Sequence, residues 1–328
     1  MKRVLVTGAR GFLGLPLCRH LASVGWSIRA AVRYPDRFME ELLDVTPDKE
    51  VISIGEIGPE TDWSRPLKGV DAVAHLAARV HQMRDSAPDP PSAYRVVNVE
   101  ATRRLAQEAA RSGVKRFLFL STAKVHGEGN VSRPFMESDP PAPEDPYARS
   151  KWEAEQVLRR IEKEQGLPVV IVRPPLVYGP RVKGNLLSVL RWVKRGVPLP
   201  LGSIQNRRSL VGLTNLLDFL ALCLDHPKAP GETFLISDRE DLSTAELFEK
   251  IGKGLHVKSR LIPFPVKVLH ALATLVGKRD LAQRLCNSLV VDSSKARRLL
   301  SWNPPCSMNQ EIQRMCDWFL EDATKEKE

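Results

Sequence analysis

The chain predicts an α/β fold, a doubly wound parallel sheet with helices on both faces, and three observations carry that reading. Apolar runs of strand length alternate with stretches of helical apolar spacing through the first half of the sequence. A turn with glycine at every third position, Gly8-Ala9-Arg10-Gly11-Phe12-Leu13-Gly14, joins the first strand to the first helix. Prolines fall between the periodic segments, where a wound sheet needs its loops.

Taken in order, residues 2–7 open the sheet, with Val4-Leu5-Val6 as a short buried run. The glycine turn follows, and Phe12 to Val24 has the spacing of an amphipathic helix. Glycines here let the backbone approach an anion while the free N–H groups of the helix start face it, so the turn suits a pyrophosphate. Its G-x-x-G-x-x-G spacing departs from the G-x-G-x-x-G of ordinary dinucleotide folds. Strands are predicted at residues 27–32, 50–54, 70–76, 115–121 and 168–173, and helices at 92–112 and 146–166. Pro88, Pro90 and Pro91 break the chain before the first of these helices. Prolines 134, 140, 141, 143 and 146 make residues 128–146 a loop that ends where the second begins. Beyond Arg173 the pattern is mixed, with short strands such as Phe234-Leu235-Ile236, and the charged end from Thr324 to Glu328 reads as frayed.

At 328 residues the chain can bury a large core and hold two domains. Its formal charge is +10, but Lys and Arg never form a run of five or six, which argues against a nucleic-acid partner. Phosphate-rich small ligands and a solvated basic surface account for the excess; weak association with an anionic membrane surface is a lesser expectation. Cys18, Cys223, Cys286, Cys306 and Cys316 are odd in number and lack a C-x-x-C pair, as expected of reduced thiols without a metal site. The strand at the second residue leaves no room for a leader, so the expected location is cytoplasmic. Leu261 to Val276 is the most apolar later stretch, but Pro263, Pro265, Lys267 and His270 interrupt it. It reads as a core or cap helix rather than a membrane span, with a surface-lying helix as the alternative.

Tyr147-Ala148-Arg149-Ser150-Lys151 puts a tyrosine and a lysine one helical turn apart, able to face one cleft. A phenol of pKa near ~10 is a poor proton carrier at neutral pH, and a neighbouring ammonium is expected to lower it. The second strand ends Ala30-Ala31-Val32-Arg33, without the acid that would bond a ribose 2′-hydroxyl. Arg10, Arg33 and Arg37 instead suit a 2′-phosphate, favouring NADP(H); Arg33 stacked on adenine would leave NAD(H) acceptable.

These motifs, together with His75-Leu76-Ala77-Ala78, Asn98-Val99-Glu100-Ala101-Thr102, Ser121-Thr122-Ala123-Lys124-Val125-His126-Gly127 and Arg173-Pro174-Pro175-Leu176-Val177-Tyr178-Gly179-Pro180, are ordered along the chain. Arg208-Ser209-Leu210-Val211 and Asp292-Ser293-Ser294-Lys295-Ala296 extend the series. The whole resembles the extended short-chain dehydrogenase/reductase family, in its nucleotide-sugar branch of epimerases and dehydratases. The resemblance implies a Rossmann-type dinucleotide-binding domain, residues 1–175 with about 209–237, and a smaller interleaved nucleotide-sugar domain, about 176–208 and 238–328. It implies Thr122, Tyr147 and Lys151 as the catalytic set, with Ser121 as the rival hydroxyl; strand alternation turns Ser121 to the other face. Cofactor contacts are implied for Gly8, Arg10, Gly11, Phe12, Leu13, Gly14, Arg33, Glu56, Ile57, Leu76, Ala77, Ala78, Asn98, Pro174 and Val177, besides Tyr147 and Lys151. Glu56 stands where Asp is more usual. Substrate contacts are implied for Thr122, Lys124, His126, Tyr147, Asn185 and Arg208, with Arg207 as a rival and His126 equally readable as a loop histidine without a role. A homodimer and a UDP-sugar substrate follow from the same resemblance.

Departures from the family pattern narrow the chemistry. Dehydratases of the branch follow the catalytic Thr with Asp-Glu, whereas Thr122 precedes Ala123-Lys124, so loss of water is not expected. No Cys lies in the catalytic motifs for epimerisation at C3 and C5. Hydride transfer at C4 remains. Asp62-Trp63, residues 179–185 and Asn206 to Gly212 most resemble bacterial 4-ketoreductases that form UDP-N-acetylquinovosamine for lipopolysaccharide O-antigen. The alternative is a UDP-hexose 4-epimerase; a non-catalytic NADP-binding regulator is disfavoured because both Tyr147 and Lys151 are present.

Overall fold

The computed structural model describes residues 1–34, 49–80, 89–129, 133–275, 277 and 279–325. Seven strands form one sheet in the order β3-β2-β1-β4-β5-β6-β9, every neighbouring pair parallel. They are β1 (Arg3–Thr7), β2 (Ser27–Val32), β3 (Lys49–Ser53), β4 (Ala72–His75), β5 (Arg116–Leu120), β6 (Val169–Arg173) and β9 (Thr233–Leu235). A second sheet, β10-β8-β7, joins β7 (Leu176–Tyr178), β8 (Arg208–Gly212) and β10 (Asp241–Leu242). The strand order reverses at β1, between β2 and β4, and such a switch point leaves a crevice beyond the C-terminal strand ends.

The alternation of strand side chains builds a core on each face of the large sheet. Val4 and Val6 of β1 pack with Leu17 and Leu21 of helix α1 (Gly14–Ser23) and with Phe219 of α7 (Leu213–Asp225). Leu5, Val73, Phe117 and Phe119 point the other way, against Leu105 of α4 (Ala101–Arg111) and Leu158 of α5 (Pro146–Gln165). The remaining helices before α7 are α2 (Ser64–Leu67), α3 (Pro90–Arg95) and α6 (Gly184–Lys194). A third core gathers Tyr178, Leu190, Phe248, Ile251 and Met315, around α6, α8 (Thr244–Gly254) and α12 (Met308–Lys325). Helices α9 (Val266–Leu275), α10 (Arg279–Cys286) and α11 (Ser294–Leu300) complete the described chain.

The predicted strands fall within two residues of those observed. The helix expected at 92–112 runs from 90 to 111, but not as an uninterrupted α-helix. It is α3 and α4 joined by a π-turn at Val96–Glu100, which widens the backbone around Asn98. That side chain is buried and fully engaged: its Oδ1 accepts from Arg79 N (2.8 Å), and its Nδ2 donates to Arg79 O (3.0 Å) and Ser150 Oγ (2.9 Å). The loop before α5 ends as the prolines predict: Pro146 is the first helical residue, and Asp145 caps the helix by accepting from Ala148 N at 2.6 Å. Among the described residues, no helix is long and apolar enough to cross a membrane.

Candidate active site

The glycine turn closes on itself at the end of β1. Gly11 N donates to Gly8 O (2.8 Å) and Gly14 N to Gly11 O (3.2 Å). Gly8 has φ +69°, and a Cβ there would lie 2.8 Å from Ala77 N. A Cβ on Gly14 would lie 2.1 Å from Gly8 O, so the turn and the helix can pack this closely only with glycine. Leu13, which precedes α1, gives no side-chain cap, and the first turn carries no acid. These uncapped N–H groups, the close backbone and a neighbouring cation fit a dinucleotide pyrophosphate. A cavity of about 140 Å³ adjoins the turn, lined by Gly11, Phe12, Leu15, Pro16 and the cations Arg10, Arg181 and Lys183.

At the outer strands, Arg10 Nη1 donates to Tyr34 O (3.2 Å), and Arg33 Nε pairs with Glu56 Oε1 at 3.1 Å. Arg10, Arg33 and Glu56 are thus brought to one end of the sheet. Arg37 lies outside the described residues.

Beneath the turn runs a directed hydrogen-bond chain. Ala77 N donates to Thr7 Oγ1 (3.2 Å), whose hydroxyl donates to His75 Nδ1 (2.7 Å). His75 Nε2 donates to Thr102 Oγ1 (2.8 Å), which donates to Asn98 O (2.8 Å); this order of donors fixes the ring as the Nε2–H tautomer. Burial, and secondarily the charge of Lys151, push the His75 pKa down to about 3, so the ring is neutral. Asn98 then reaches Ser150, whose Oγ donates to Tyr147 O at 2.7 Å. The glycine turn, β4 and the start of α5 are locked together through side chains.

Thr122, two residues past β5, caps a short 3₁₀ turn, Ala123–His126; its Oγ1 accepts from Lys124 N at 3.3 Å. The buried hydroxyl of Ser121 donates to Glu155 Oε1, on the same helix as Tyr147 and Lys151. Tyr147 and Lys151 lie on α5 one turn apart. Lys151 is buried, with its Nζ 4.0 Å from the centre of the Phe119 ring, and Tyr147 meets Tyr94 edge-on at 6.4 Å. The electrostatics differ from the sequence expectation. Burial pushes Lys151 down to about 7, with Glu155 pulling the other way, and burial followed by the charge of Asp145 pushes the Tyr147 phenol upward. In the protein alone, desolvation exceeds the ammonium's influence on the phenol.

Lys124 is paired with Glu128 and with Asp145 Oδ2 (2.9 Å), one residue before the α5 helix begins. Arg208, at the start of β8, donates to Asn287 O (3.2 Å); burial lowers its pKa while the charge of Glu128 raises it. Arg207 instead turns toward Asp241 (3.9 Å), and Asn185 is exposed in the first turn of α6. Leu76, Ala77, Ala78 and Ile57 are half-buried near the strand ends, while Pro174 is buried with its carbonyl accepting from Ala123 N at 2.9 Å.

His126 does not project as a loop residue. It is buried, its Nε2 accepts from Arg173 Nη1 (2.9 Å), and it stacks on Phe135 at 5.4 Å. Burial and the Arg173 charge lower its pKa to about 4. Arg173 in turn grips Glu155, with Nε 3.0 Å from Oε1, and Glu155 lies one turn past Lys151 on α5. Glu155 and this buried pair were missed by sequence reasoning. The signal was the i, i+4 spacing from Lys151, which puts both on one helix face.

Residues 4–237 match the model of the NAD dependent epimerase/dehydratase family. The chain belongs to this family. It is 41% identical over 323 residues to UDP-glucose 4-epimerase of Vibrio cholerae, covering 98% of this chain and 96% of that protein. It is 27% identical to N-acetyl-alpha-D-glucosaminyl-diphospho-ditrans,octacis-undecaprenol 4-epimerase of Escherichia coli O157:H7, covering 98% and 97%. Among solved structures, UDP-glucuronic acid 4-epimerase of Bacillus cereus in complex with NAD superposes with a TM-score of 0.78 at 22% identity, covering 97% of each chain, a likeness of fold. The Rossmann-type architecture is therefore that of the extended short-chain dehydrogenase/reductases.

Proposed function

We propose that this chain is a UDP-hexose 4-epimerase, interconverting UDP-glucose and UDP-galactose or their N-acetyl forms. The observation that carries the reading is the site's composition: a Thr–Tyr–Lys set drawn from the turn after β5 and the start of α5, with Ala123-Lys124 where a dehydratase would need Asp-Glu. The similarity to a UDP-glucose 4-epimerase supports this reading over the 4-ketoreductase expectation. NAD(H) is the proposed resident cofactor. The preference for NADP(H) rested on cations without an acid, and Glu56 supplies an acid against Arg33 from the end of β3.

Gly8, Gly11, Gly14 and the start of α1 would hold the pyrophosphate, and Arg33 and Glu56 would flank the adenosine ribose. When bound, the nicotinamide supplies reversible two-electron acceptance at the sugar C4. Thr122 holds the C4 oxygen. Tyr147 takes the proton as that oxygen becomes a carbonyl and returns it when the alcohol reforms on the other configuration. Lys151 bonds the nicotinamide ribose and, as an ammonium, favours the phenolate. Lys124, paired with Glu128, and Arg208, on which the Glu128 charge also acts, would border the nucleotide-sugar side.

The deciding experiment incubates purified protein with UDP-glucose, UDP-N-acetylglucosamine and UDP-4-keto-6-deoxy-N-acetylglucosamine. The expected result is interconversion of C4 epimers with no net change in nicotinamide absorbance. Stoichiometric consumption of NADPH with the 4-keto sugar, and no epimer formed from the others, would return the reading to the ketoreductase.

A further inference from the structure

We propose that the face carrying α9 is a docking surface for an anionic phospholipid bilayer. Helix α9 packs through Val266 and Leu269, which are half-buried against the C-terminal core. Its other side is open. Val268, Leu272 and Leu275 are 44%, 50% and 82% exposed, and their i, i+4, i+7 spacing places them on one stripe. Ile262, just before the helix, is 49% exposed and extends the apolar surface.

The stripe is held in place rather than loosely tethered. Ile262 N donates to Leu199 O (2.8 Å), Gly202 N to Ile262 O (3.1 Å) and Phe264 N to Ser203 Oγ (3.0 Å). Along the chain from the end of α8 to the start of α10 the charge has one sign. Between Glu249 and Asp280 the sequence holds seven Lys and Arg and no Asp or Glu. Lys253, Lys258, Arg260 and Lys267 are exposed, and no described carboxylate pairs with them. What sets this segment apart is the absence of acids between Glu249 and Asp280.

An exposed apolar stripe in a segment whose only charges are cations is the composition of a helix lying in a membrane interface. The apolar side chains enter the boundary between headgroup and acyl chain while lysines and arginines meet anionic headgroups. A second copy of the chain would bring a like-charged segment against this one, which disfavours self-association through the face. An aqueous epimerase would thereby work at the membrane surface without a spanning helix.

The test floats the full-length protein with vesicles of phosphatidylcholine alone or with added phosphatidylglycerol. Binding is expected only to the phosphatidylglycerol vesicles and should weaken as salt is raised, because the attraction is screened over roughly 10 Å at moderate ionic strength. Lys258→Glu and Arg260→Glu should each weaken binding about fivefold or more. Val268→Asp with Leu272→Asp should abolish it, with the melting temperature and sugar-nucleotide turnover retained. No binding to anionic vesicles, or full binding by the Val268/Leu272 variant, overturns the proposal. Light scattering of the same variant gives the remaining arm. A dimer in the parent that becomes a monomer in the variant would assign the face to a second copy and overturn it equally.

Discussion

Arg33 reaches Glu56 through a 3.1 Å Nε–Oε1 contact where the chain leaves β2 and β3. The pair is exposed, so its effect on stability is small; on the proposed reading it would flank the adenosine ribose and bear on which dinucleotide binds. A carboxylate there accepts from a ribose hydroxyl and repels a 2′-phosphate. Glu56→Gln should therefore shift relative affinity toward NADP⁺ by about tenfold, and Arg33→Asp toward NAD⁺. Equilibrium binding of the two cofactors to each variant checks both directions, and unchanged ratios would remove the pair from cofactor selection.

Tyr147→Phe keeps the ring against Tyr94 and removes only the transferable proton. Turnover should fall by ~10²–10⁴-fold while cofactor affinity stays near that of the parent. Thr122→Ala should also lower kcat. Ser121→Ala should act on stability instead, because that buried hydroxyl donates to the buried Glu155. Steady-state kinetics with parallel thermal melts separates these outcomes. A Tyr147→Phe enzyme within a few-fold of the parent would refute its proton-transfer role.

What could be read from sequence and what could not divides along physical lines. The parallel sheet was legible because period-2 and period-3.6 patterns report directly on burial; Val4 and Val6 face one core and Leu5 the other. The choice of Thr122 over Ser121 rests on the same alternation. The π-turn at Val96–Glu100 was not, since apolar spacing continues through it and the cause is the hydrogen bonding of Asn98 to residues far along the chain. The burial of His126 was not legible, because a short connection between a strand and a helix gives no sign of depth. Only the fold brings Arg173 and Phe135 to it. The pKa of Lys151 was missed similarly, because desolvation belongs to the packed site rather than to the i, i+4 spacing.

Acid stability should depend on His75. Its ring is neutral in the fold, with a pKa lowered from 6.5 to about 3. A base whose folded pKa is depressed costs nothing above its unfolded value. Below it, the unfolded state binds the extra proton, so stability is lost as pH falls from 6.5 toward 3. Between pH 6.5 and 5 this single group should remove about 2 kcal/mol. Urea unfolding at the two pH values, in the parent and in His75→Asn, tests it. The variant has no group to protonate there, and an equal pH dependence in both proteins would place the acid sensitivity elsewhere.

Glu155 joins three groups behind the site. It accepts from Ser121 Oγ, pairs with the buried Arg173, and is the carboxylate that raises Lys151 against the burial that brings it to about 7. Removing its charge should lower the Lys151 pKa further, leaving less ammonium at neutral pH. If the ammonium form is the active one, the alkaline limb of the kcat profile should move to lower pH in Glu155→Gln. That variant also strands the Arg173 guanidinium, at a cost of ~3–5 kcal/mol in stability, which would confuse a comparison of rates alone. Glu155→Leu with Arg173→Met removes both buried charges together and should restore much of the stability while leaving Lys151 without its carboxylate. A stable double variant that keeps the displaced pH profile assigns Glu155 a positioning role through electrostatics. A double variant with the parent's profile would reduce Glu155 to a structural partner of Arg173.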